Sequence, residues 1–158
     1  MTTLDIEFLE RNLERQLCWV RASETRISLI LPLATALFGT VAAKVNLFIL
    51  PDCWNNIVIS AALLMIALSL VFASIAIFPR TNGPNHSLIF FGGIAACSKE
   101  DFGSKMKNCD AAAIEKDLLE QIQINACIAN KKYKWIQRSM ICLVLSLLPW
   151  AISVSFLY

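Results

Sequence analysis

The sequence carries little charge and little catalytic chemistry. Only 16% of its 158 residues are charged, too few for a disordered chain, which pairs low hydrophobicity with high charge. A formal net charge of +2 offers no basis for DNA or RNA as a partner. There is one histidine, His86, and no HExxH, GxSxG or P-loop pattern. A histidine base needs an oriented partner, so His86 reads first as a solvated loop residue. The six cysteines, Cys18, Cys53, Cys97, Cys109, Cys127 and Cys142, include no CxxC pair and no metal-ligand spacing. Five of them fall in segments assigned below to the cytosol or the bilayer, where thiols stay reduced. Neither catalytic residues, a metal site nor a cofactor is expected.

What the chain does have is three long runs almost without charge: 27–50, interrupted only by Lys44, then 57–79 and 139–158. Each is long enough to cross the bilayer, which takes roughly 20 apolar residues. No Asp or Glu lies inside them, so an intramembrane carboxylate pair, and with it most intramembrane hydrolases and proton relays, is excluded. The first run is not a signal peptide, because 26 residues with five acidic side chains precede it. Basic residues are retained on the cytoplasmic side. Arg15, Arg21 and Arg26 precede the first run, Arg80 follows the second, Lys131, Lys132, Lys134 and Arg138 precede the third, and 51–56 has none.

The expected organisation is therefore an all-α membrane protein. A cytoplasmic amphipathic helix (1–26) leads to transmembrane helix 1 (27–50), an outer loop (51–56) and transmembrane helix 2 (57–79). A small, mainly helical cytoplasmic insert (80–138) leads to transmembrane helix 3 (139–158), with the C-terminus outside. Trp54, Trp135 and Tyr158 read as interfacial anchors. Lys44 reads as a snorkelling lysine. Pro32 and Pro149 are tolerable where neighbouring helices satisfy freed carbonyls, and Pro149 is a candidate kink.

In the first helix Ile6, Leu9, Leu13, Leu17 and Val20 form one apolar stripe. A second stripe, Ile114, Leu118, Ile122, Ala126 and Ala129, runs along a helix expected from about 111 to 138. The two are expected to pack together, and both are too narrow to make a core unaided. A third partner is required: the segment between them or another copy of the chain. That segment contains Ser87-Leu88-Ile89-Phe90-Phe91-Gly92-Gly93-Ile94-Ala95. Its four large apolar residues in a row suit a buried strand or an interfacial wedge equally. The glycine pair suits close backbone approach or an ordinary tight turn. Ser98 with Asp101 marks a helix start. The run Lys131-Lys132-Tyr133-Lys134-Trp135-Ile136-Gln137-Arg138 can grip a phosphate ester and stack a base, and it is equally what anchoring of the third span, or acidic lipid heads, would call for. Trp19 and Arg21 carry the same ambiguity.

Four stretches together carry a resemblance: Glu10-Arg11 and Glu14-Arg15 leading to 16–22 (QLCWVRA), 87–94 (SLIFFGGI), 121–132 (QIQINACIANKK) and 147–150 (LLPW). They resemble the transmembrane effectors of Pycsar antiphage systems over nearly the whole chain, the FFGG stretch being the most specific. The resemblance implies an inner-membrane effector activated by a cyclic pyrimidine mononucleotide, cyclic CMP or cyclic UMP, from a companion cyclase, and a homo-oligomer is expected because several ligands drive such a switch more easily than one. It also implies abortive infection through membrane impairment. Candidate ligand-binding residues are Trp19, Arg21, Ser87, Gly92, Gly93, Asn125, Lys131 and Arg138. Two competing classes are a membrane scaffold docking a cytoplasmic protein and a nucleotide-independent pore-forming toxin.

Overall fold

Long uncharged stretches rich in Leu, Ile, Ala and Ser favour helix, the element that satisfies its own backbone in lipid. The computed structural model describes residues 5–43, 53–79, 83–84 and 86–157, and among them every regular element is helical. The elements are α1 (Ile6–Ala42), α2 (Cys53–Ile77), α3 (Phe91–Ala95), α4 (Lys99–Lys107) and α5 (Ala111–Leu157). Three helices, Ile6–Ala42, Cys53–Ile77 and Ala111–Ser155, are long and apolar enough to cross a membrane. The readings of Lys44 and Tyr158, and part of the outer loop, lie outside the described residues.

Two elements expected to be separate are single helices. α1 joins the amphipathic segment to the first apolar run through Pro32, and α5 joins the insert helix to the third run through Pro149. The chain divides into two compact units to which both helices contribute.

The first unit comprises residues 1–22 and 79–130. Its buried apolar residues include Leu9 from the first stripe and Leu118 and Ala129 from the second, while Leu17 is 37% exposed at the rim. The third partner is the intervening segment, which contributes buried Ser87 and Gly93. That segment does not form a strand: a bend leads into the one-turn α3. Ser98 caps α4 as expected, its hydroxyl accepting the Asp101 N–H at 3.1 Å. The Asp101 carboxylate accepts from that hydroxyl at 2.8 Å, which completes the cap by a route other than the reciprocal backbone bond of a capping box.

The second unit comprises 23–78 and 131–158. Its buried positions alternate by threes and fours on α1 (Ser23, Ile27, Ile30, Ala34, Leu37 and Val41) and α2 (Ile59, Ala62, Ile66, Ser69, Ala73 and Ala76), and on α5 through Ile136, Ser139, Leu143 and Ser146, with Ser153 one seven-residue repeat further on. Such 3.5-residue repeats keep one seam facing its partners. Ala and Ser take nine of these seventeen seam positions, mostly on α2 and α5, while Leu29, Leu64, Val71, Val144, Leu145 and Leu148 point outward. In lipid no hydrophobic force drives helices together, so small residues that permit close packing take the interior. Ser69 and Ser139 each donate to the other's backbone carbonyl, at 2.9 and 2.8 Å. The Trp150 indole donates to the Leu37 carbonyl at 3.1 Å and to Thr40 Oγ1 at 3.0 Å.

Candidate functional site

In the first unit the segment before α3 is held by a serine. The Ser87 hydroxyl accepts the N–H groups of Ile89 (3.1 Å) and Phe90 (2.8 Å), a local turn of the kind serine favours. It also accepts from Gln121 Nε2 of α5 at 3.3 Å. One turn earlier on α5, Asp117 Oδ2 accepts the Leu88 N–H at 2.8 Å. Two side chains four residues apart therefore pin the 86–89 strap to α5.

The strap and α5 enclose a cavity of about 390 Å³. Leu88, Ile89, Met106, Ile114 and Leu118 supply apolar walls, and Glu10, His86, Lys116, Asp117 and Glu120 supply polar groups. His86 Nε2 lies 3.5 Å from Glu120 Oε2. The second oxygen of Asp117, Oδ1, is buried and has no hydrogen-bond partner among the described residues. A buried acceptor left unpaired costs about 1–3 kcal/mol. An adjoining cavity of about 360 Å³ shares His86, Leu88 and Cys109 and adds Lys105, Ser104 and Asn108. The pair is thus electrostatically two-ended: carboxylates predominate in the first cavity, a lysine and neutral donors in the second. Hydrophobic walls with a few convergent polar groups are the usual form of a small-molecule site.

The eight sequence candidates fall differently. Ser87 and Gly93 come together in the frame of the strap: a Cβ on Gly93 would stand 2.5 Å from the Ser87 carbonyl oxygen and 3.0 Å from that of Pro84. The close approach that the glycine pair permits is made by the chain itself. A Cβ on Gly92 would meet the Phe90 ring. Asn125 donates back to the Gln121 carbonyl at 2.8 Å. Trp19 and Arg21 are exposed on α1. Lys131 and Arg138 belong to the second unit. Among the described residues none of the eight lines either cavity. The carboxylate-bearing turn of α5, Asp117 and Glu120, carries no signal in the sequence that points to a ligand, because acids in the N-terminal half of a helix suit its dipole without one.

In the second unit the basic run is differentiated by packing. Lys132 is buried and its ammonium lies 2.6 Å from Glu24 of α1. The Arg138 guanidinium stacks over the Trp135 ring at 4.5 Å, and Arg26 over Tyr133 at 5.1 Å. Lys131 and Lys134 are exposed. All six cysteines are free, and no group of three or more metal-ligating side chains occurs among the described residues.

Comparison with known proteins gives one family and one relative. Residues 8–158 match the model of the PycTM family, described as the Pycsar effector protein domain. The Pycsar effector protein PtPycTM of Propioniciclava tarda is 27% identical over 143 residues, covering 82% of this chain and 68% of the relative. No solved structure matches.

Proposed function

The chain belongs to the Pycsar effector family, which makes it a membrane-embedded effector of antiphage defence, and from that premise we propose that a cyclic pyrimidine mononucleotide from a companion cyclase switches it on. The family is not a known class of enzyme, and the reading needs no catalysis. The observation that carries it is one chain holding both three membrane-length helices and a two-ended cavity of mononucleotide size.

The base takes the carboxylate end and the cyclic phosphate the end with Lys105, His86 and Asn108. Asp117 Oδ1, unpaired among the described residues, then receives a donor from the base. Cytosine offers an exocyclic amino group that Asp and Glu accept from, whereas uracil offers an acceptor oxygen at that position. Cyclic CMP is thus favoured over cyclic UMP. Of the eight residues named from the sequence, Ser87 and Gly93 hold the strap of this cavity, Ser87 with the help of Gln121, and the others act apart from it.

The cavity walls come from α1, α4, α5 and the strap, and α1 and α5 continue as the backbones of two spans. Ligand that prefers one packing of these walls shifts the population of both helices, and only through that preference. Moving from mostly off to mostly on takes about 5.5 kcal/mol of differential affinity, which several ligands on a homo-oligomer supply more readily than one. The activated state impairs the inner membrane and ends the infection by death of the cell. The insert faces the cytoplasm, where the cyclase works.

Titrating the purified full-length protein in detergent with cyclic CMP, cyclic UMP and cyclic AMP tests the reading. Binding of a pyrimidine nucleotide over cyclic AMP is expected. Absence of binding to all three would sink it in favour of a scaffold or a constitutive pore. Asp117→Asn keeps an acceptor for Leu88 but replaces the unpaired oxygen with a donor. It is expected to weaken cyclic CMP about tenfold or more, the worth of a hydrogen bond to a charged group, and to narrow or reverse the preference over cyclic UMP.

A further inference from the structure

We infer that α5 carries a binding site for an anionic phospholipid, with the phosphate held by Lys131, Lys134 and Arg138 and the acyl chain lying along Ile141, Leu145 and Leu148. These six positions are spaced 3, 4, 3, 4 and 3, so they form one continuous stripe on a single helix face, and all six are exposed. The stripe changes character once, between Arg138 and Ile141. It spans roughly 10 Å of cationic surface followed by roughly 10 Å of apolar surface at a rise of 1.5 Å per residue. An amphiphile with an anionic head matches both halves; a free nucleotide or phosphate ion leaves the second half unused.

Three further observations keep the cationic half available. No acidic residue occurs anywhere in 121–158. The carboxylate of Glu24 is 2.6 Å from Lys132, on a different side of the helix from the stripe. Arg138 lies over the Trp135 ring and is exposed, so its guanidinium is open to a phosphate. Trp135 in turn packs on Phe72 of α2, ring centroids 5.6 Å apart, so the arginine rests on a built platform. The pairing assigns Lys131 and Arg138 to lipid, in the unit that holds the spans, instead of to the activating nucleotide.

The test is native mass spectrometry of the purified full-length protein released from a neutral detergent. It is titrated in parallel with dioleoyl phosphatidylglycerol and dioleoyl phosphatidylcholine. Phosphatidylglycerol is expected to be retained at about 100-fold lower concentration, since each basic residue near an anionic surface contributes about 1 kcal/mol. The Lys131→Gln, Lys134→Gln, Arg138→Gln triple variant is expected to lose the difference, and the charge-keeping Lys131→Arg, Lys134→Arg pair to retain it. Equal retention of the two lipids by the unmodified protein would overturn the inference, with no variant involved. Displacement of retained phosphatidylglycerol by cyclic CMP or inorganic phosphate, at concentrations that leave phosphatidylcholine bound, would overturn it too and return the stripe to a soluble phosphate ester.

Discussion

Gly92, Gly93 and Gly103 stand in three different surroundings. At Gly93 a methyl group would collide with two backbone carbonyls, which cannot rotate away, and no positive φ is involved. At Gly92 the obstruction is the end of the Phe90 side chain. Gly93→Ala is therefore expected to destabilise the first unit by about 1–3 kcal/mol, the usual cost of overpacking, and Gly92→Ala by clearly less. At Gly103 an added methyl meets nothing, so Gly103→Ala in α4 is expected to stabilise by up to about 1 kcal/mol through helix propensity. Denaturant melts of the three variants in one detergent check the ranking; a Gly93→Ala protein as stable as its parent would remove the close approach from the account. The resemblance already singled out FFGG, but a dipeptide of glycines does not say whether ligand, partner or self will occupy the space.

At the scale of elements, the Ser69–Ser139 contact between spans sits on the seams. The reciprocal Ser69–Ser139 bonds tie α2 to α5. Ser69→Ala is expected to cost about 0.6 kcal/mol, at most about 1.7, as hydrogen bonds within membrane bundles usually do; unfolding in mixed detergent measures it. The Glu24–Lys132 pair is unequal, with the lysine side chain 5% exposed and the carboxylate 55%. Removing the carboxylate leaves a buried ammonium, whereas replacing the lysine removes the charge altogether. Glu24→Gln is thus expected to destabilise more than Lys132→Met, and the reverse order in the same melts would mean that the lysine finds solvent unaided. The apolar runs, both amphipathic stripes and the Ser98 start were legible because each is a periodicity or a local cap. The fusion of stripe and span into α1 and α5 was not. Charged and apolar stretches differ in solvent, not in backbone preference, so a composition boundary leaves the helix unbroken.

For the whole molecule, the direction across the membrane proposed here rests on the distribution of arginine and lysine, since packing alone leaves it open. Single-cysteine proteins retaining either Cys53 or Cys109 provide the check. Cys53 opens α2 and is exposed, and Cys109 lies between α4 and α5. A membrane-impermeant maleimide added to intact cells with a permeable outer membrane is expected to label Cys53 and to spare Cys109 until the cells are lysed. Labelling of Cys109 from outside would invert the topology and leave the proposed nucleotide unable to reach its cavity.

Hydrophobicity and its period determined, with no reference to three dimensions, that the chain is helical and membrane-spanning, because both follow from the local cost of exposing or burying each residue. The linear order of residues did not reveal which cations are buried, stacked or outward, or that α5 acids and an unassuming strap enclose a cavity. Those outcomes depend on contacts between segments far apart in the chain, such as Glu24 with Lys132 and Leu88 with Asp117. Only the tertiary structure decides them, since a side chain's partner, unlike its propensity, is a property of the packed whole.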